Sequence, residues 1–64
     1  MIKSWKVTAE VNLCAGEYRS VVVKANTERK ARIFGMNALK KQDDIFFISK
    51  VQVVQIDTEN NENG

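Results

Sequence analysis

Sixty-four residues with a formal net charge of +2, one cysteine, no histidine and no proline make a single small domain, which buries only about 60% of its unfolded surface. One cysteine excludes a disulfide framework, and the absence of histidine removes the usual ligands of a structural metal and the usual catalytic base. The longest apolar run, Ile45-Phe46-Phe47-Ile48, falls far short of the roughly 20 residues that cross a bilayer. With neither disulfide nor metal to support so small a core, oligomerisation is the remedy left, and a homodimer is expected. The lone thiol and the start Met-Ile-Lys-Ser-Trp-Lys, which has no apolar signal-peptide core, predict a cytoplasmic protein.

Along the chain, Trp5, Val7, Ala9, Val11 and Leu13 alternate with Lys6, Thr8, Glu10 and Asn12, the period-two signature of a strand with one buried face. Cys14 to Glu17 supplies a loop containing Gly16, and Tyr18 to Ala25 resumes the alternation with Val21, Val23 and Ala25 in register. The two segments are predicted to form a hairpin.

A helix is predicted over residues 27–41. Thr27 can cap it, Glu28 meets the positive end of its dipole, and Lys40 and Lys41 lie near the negative end. Ala31, Phe34, Gly35, Ala38 and Leu39 recur at the spacing of a core-facing stripe, with Gly35 marking a close approach to the sheet. Ile33 and Met36 fall on the other side, among Arg29, Arg32 and Lys40. A chain this short cannot bury both faces.

Gln42 to Asp44 is predicted as a turn and residues 45–56 as a third strand of β-branched composition. That strand does not keep one phase: Phe47, Val51 and Val53 lie on one face and Phe46, Ile48, Val54 and Ile56 on the other. It is therefore either bulged or apolar on both sides. The order of elements predicts an α+β fold, ββαβ, with a three-stranded antiparallel sheet of order 2-1-3 and the helix packed on one face. Both edge strands stay open, and the long third strand is expected to overhang its neighbours and offer its edge to a second copy.

Residues 1–56 form the predicted domain. Residues 57–64 hold Asp57, Glu59 and Glu62 and no apolar residue, which predicts a disordered acidic tail. Without it the body carries ten Lys/Arg against five Asp/Glu, a charge of +5.

Catalysis is poorly provided for. Cys14 has no base, Asp43 and Asp44 are sequence neighbours in a turn, and Gly16, Gly35 and Gly64 are too scattered to cradle a phosphate. No enzyme activity, cofactor or metal is expected.

Binding has two candidate surfaces. On the outer helix face Arg29, Arg32, Ile33, Met36 and Lys40 combine two apolar side chains with cations, which suits an acidic protein partner. On the sheet face away from the helix Lys6, Tyr18, Lys24, Phe46 and Lys50 gather aromatic rings among cations, which suits the bases and phosphates of a nucleic acid. Glu10, Val22 and Ile48 are assigned to that same face, and their presence fits burial in a homodimer equally.

The junction Val23-Lys-Ala25-Asn-Thr27-Glu-Arg-Lys-Ala31, preceded by Trp5-Lys-Val-Thr-Ala-Glu10, resembles the small one-domain proteins of unknown function encoded by phages and prophages. The resemblance implies an accessory protein that binds a host or phage macromolecule, and it carries over no site residues. The reading from sequence is thus a non-enzymatic, dimeric module that binds or modulates a protein. A nucleic-acid-binding module and a structural assembly subunit are the alternatives.

Overall fold

The computed structural model describes residues 2–56; the acidic segment 57–64 lies outside them. The elements are β1 (Lys3–Val11), β2 (Tyr18–Ala25), α1 (Glu28–Lys40) and β3 (Ile48–Ile56). They form an α+β fold with one antiparallel sheet of order β2-β1-β3. Alternation on β1 places Trp5, Val7, Ala9 and Val11 under the helix, and all four are buried. Register carries the same face outward, setting Trp5 against Val23 and Val7 against Val21 on β2 and Val53 on β3.

Thr27 caps α1, its hydroxyl accepting from the Lys30 N–H at 3.2 Å and its carbonyl from the Ala31 N–H at 3.0 Å. Ala31, Gly35 and Leu39 form the buried stripe. Gly35 lies directly on Val7: a Cβ at Gly35 would come within 2.6 Å of all three branch carbons of that valine. Trp5 closes one end of the core, donating its indole N–H to the Ala25 carbonyl at 2.9 Å, while Ala9, Val11, Leu39 and Ile45 pack together at the other.

Three expectations are corrected. Phe34 is 44% exposed rather than core-facing. At 100° per residue it stands about 100° from the centre of the stripe, and the glycine contact that draws the helix axis onto Val7 keeps that stripe narrow. The third strand starts at Ile48, not Ile45, and ends level with β1, Val11 opposite Ile48 and Ser4 opposite Ile56, so it has no overhang. Its phase change is a bulge. Thr8 faces Gln52 and Glu10 faces Ser49, leaving one extra residue on β3, with Lys50 at φ 52°. The bulge returns Ile48 to the helix side, where it packs with Val51 against the cluster of Ala9, Val11, Leu39 and Ile45.

Candidate functional site

Two features account for the segment between α1 and β3. Arg19 on β2 hydrogen-bonds Gln42 Oε1 at 2.9 Å through one guanidinium nitrogen and pairs with the Asp44 carboxylate through the other. The hydrogen bond from Arg19 holds the Asp44 carboxyl below its ordinary range, against a smaller desolvation effect. A lowered folded-state pKa means that the pair's stabilisation is fully present above the ordinary carboxylate value of about 3.9 and is lost as pH falls through Asp44's lower value. Urea denaturation is expected to show wild type more stable than Asp44→Asn at neutral pH, with the gap closing as the pH falls below the ordinary carboxylate range and through Asp44's lowered value. A gap independent of pH would remove the ion pair as its cause.

The second feature is Asn12, which the alternating pattern had read as a strand residue. Asn12 and Leu13 both have positive φ, 56° and 58°. With the Cys14 N–H bonded to the Val11 carbonyl at 3.1 Å, they make a primed turn directly after β1. From that turn Asn12 binds the whole approach to β3. Its Nδ2 donates to the Asp44 carbonyl at 2.8 Å, and its Oδ1 accepts from Phe46 N–H at 2.8 Å and Phe47 N–H at 3.2 Å. Its backbone N–H donates to the Phe47 carbonyl at 2.7 Å.

Asn12 thereby holds apolar side chains in water. Phe46 is 78% exposed, Leu13 72%, and Phe47 is exposed as well. Beside them a groove of about 450 Å³ runs under the end of α1, lined by Met36, Lys40, Ile45, Phe46, Phe47 and Ile48. For a leucine the left-handed conformation costs about 1–2 kcal/mol. Leu13→Gly is accordingly expected to raise stability by about 1 kcal/mol, read from the urea midpoint; a decrease would show that the turn is not strained.

Of the residues proposed for protein binding, Met36 and Lys40 line this groove. Arg29 and Arg32 are exposed on the helix, and Ile33 is 50% exposed between them. Neither of the two ion pairs found among the described residues uses Arg29, Arg32 or Lys40. The stripe is thus continuous, with cations and a half-bared isoleucine leading into an apolar groove.

The residues proposed for nucleic-acid binding are divided. Register puts Lys6, Tyr18 and Lys24 on the open sheet face with Val22 and Val54. Lys50 lies beside Glu10 on that side, its Nζ 3.7 Å from Glu10 Oε1. Glu10 is buried even so, accepting the Gly16 N–H at 3.2 Å. Phe46 is not on this face; it lines the groove beside the helix. Among the described residues no cluster of acidic or cysteine side chains is arranged to hold a metal, and Cys14 is an exposed free thiol.

Sequence reasoning missed Leu13, Phe47 and the role of Asn12. The one available signal was Asn12 itself, a residue type that tolerates positive φ, at the point where the alternation ends. No protein-family model, curated protein or solved structure matches the chain.

Proposed function

We propose that the protein is a non-enzymatic binding module whose helix face takes an acidic segment of another protein, in keeping with the host- or phage-macromolecule role implied by the sequence resemblance. The observation that carries this reading is the stripe of Arg29, Arg32, Ile33, Met36 and Lys40, single-signed in charge and ending in the groove. Carboxylates of the partner would meet the three cations, which act mainly on encounter rate and orientation, and an apolar side chain between them would settle against Ile33 and Met36. The rival reading, a nucleic acid on the open sheet, keeps Lys6, Tyr18 and Lys24 but loses the exposed ring of Phe46.

Selection of random peptides displayed against the protein is the test. Enrichment of an aliphatic or aromatic residue flanked by Asp or Glu is expected, with binding weakened about tenfold, or roughly 1.4 kcal/mol, in Ile33→Ser. Ile33 is the clean probe because it is half exposed, whereas Met36 is partly buried in the groove wall and its loss also costs stability. Peptides without acidic bias, or unchanged affinity in Ile33→Ser, would overturn the reading. Salt-sensitive binding of oligonucleotides abolished by replacing Lys6 and Lys24 would install the rival.

A further inference from the structure

The helix stripe leaves the far end of the molecule unexplained. There Leu13 and Phe46 are the two most exposed large apolar side chains of the described residues, one of them in a strained turn and both positioned by Asn12. Full burial of a leucine or phenylalanine is worth about 1.5–3 kcal/mol, so holding both in water forgoes several kcal/mol in a domain whose core is small. A patch kept at such cost is characteristic of an interface.

Charge and shape select its occupant. Away from the groove, exposed Arg29 and Arg32 are both cationic and repel their counterparts in a second copy. The groove itself carries a single cation, Lys40, in an otherwise apolar lining, and exposed Asp43 follows three residues on in the chain. Shape adds the stronger argument: Phe46 stands on the lip of the groove it lines, so one patch offers both a projecting ring and a cavity. Such a patch is self-complementary under a two-fold axis, because each copy can fill its partner's groove while its own is filled. A groove of about 450 Å³ lies within the roughly 300–1,000 Å³ of binding pockets and has room for a phenyl ring.

We infer that a second copy of this chain docks through the Leu13–Phe46 tip, the Phe46 ring of each protomer entering the groove of the other. The tip is largely apolar where Arg29 and Arg32 are cationic, so the dimer leaves those arginines open and shares only Met36 and Lys40 of the groove with the proposed acidic partner. The inference stands independently of the proposed acidic partner, since its test contains no partner.

Sedimentation velocity of the full chain from micromolar to near-millimolar concentration is the experiment. Wild type is expected to pass from monomer to a closed dimer, and Phe46→Ser to remain monomeric at every concentration. Val22→Ser, on the open sheet face, is expected to dimerise as wild type does. Phe46→Ser keeps the backbone N–H that Asn12 binds, and its fold is checked by circular dichroism. Leu13→Gly provides a second variant with opposite signs on two readouts: a higher urea midpoint and at least tenfold weaker dimerisation.

A wild-type monomer throughout, growth beyond a dimer, or a dimer insensitive to both Phe46→Ser and Leu13→Gly would overturn the inference. Loss of the dimer in Val22→Ser alone would move the interface to the sheet.

Discussion

Gly35→Ala is expected to unfold the protein or to cost it about 3 kcal/mol, although alanine is the better helix former by about 1 kcal/mol. The added methyl would lie within 2.6 Å of Val7 Cβ and both its methyls, where carbon atoms rest at about 3.5–4.0 Å. Val7 cannot move aside, being fully buried in the central strand, so the helix must lift from the sheet and open the contacts of Ala31 and Leu39. Overpacking of this kind costs about 1–3 kcal/mol in larger proteins; a small single core rarely supplies more than about 3–5 kcal/mol in all.

Adding Val7→Ala should rescue Gly35→Ala in part. It removes two of the three clashing carbons and leaves the Cβ, 2.5 Å from the new methyl. Urea denaturation of the two single variants and the double variant gives the coupling directly. A Gly35→Ala protein with a raised melting temperature, as an exposed helical glycine would give, would show that the helix does not lie on Val7.

Asn12→Ala is the second large effect, expected at about 2–3 kcal/mol. The substitution removes one side-chain donor and the acceptor shared by two backbone N–H groups, each hydrogen bond being worth about 1 kcal/mol. It also leaves alanine at φ 56°. Two further variants separate these causes. Asn12→Gly relieves the backbone and retains only the hydrogen-bond loss, so it should fall between wild type and Asn12→Ala. Asn12→Asp keeps the acceptor for Phe46 and Phe47 but cannot donate to the Asp44 carbonyl. Amide exchange at Phe46 and Phe47 should accelerate in Asn12→Ala and Asn12→Gly and change least in Asn12→Asp. Uniform acceleration across the whole sheet in all three would mean that Asn12 supports global stability rather than this segment.

The hairpin strands and the helix were legible because each rests on local periodicity, Trp5 to Val11 alternating without a break and Thr27 and Glu28 marking the helix start, and the 2-1-3 order was legible because it follows from the order of the elements. The Gly35 approach was legible for a related reason, since a glycine on an apolar stripe is costly unless something occupies the space. Phe34 was misplaced because hydrophobicity reports which residues prefer burial, not how wide a stripe the contact with Val7 leaves.

The beginning of β3 was illegible for a deeper reason. Ile45 to Phe47 has strand composition, but its backbone is bound at Phe46 and Phe47 by a side chain 34 and 35 residues earlier, and no local pattern encodes that. The candidate site inherits the same division: its arginine and isoleucine stripe is helical periodicity, whereas its exposed rings depend on the long-range reach of Asn12.

The bulge at Lys50 has a further consequence. β3 is an edge strand, and nine residues, five of them β-branched, with an unpaired row of amides are a template on which other chains can grow. One extra residue in the left-handed region, with its side chain drawn toward Glu10, breaks that row near its start, so an incoming strand cannot stay in register along its length. Excising Lys50 would straighten the edge while leaving Ser49 opposite Glu10 and Ile48 opposite Val11, an unbroken row open to pairing. The kink that returns Ile48 to the core thus also interrupts the edge along which a second chain would have to pair.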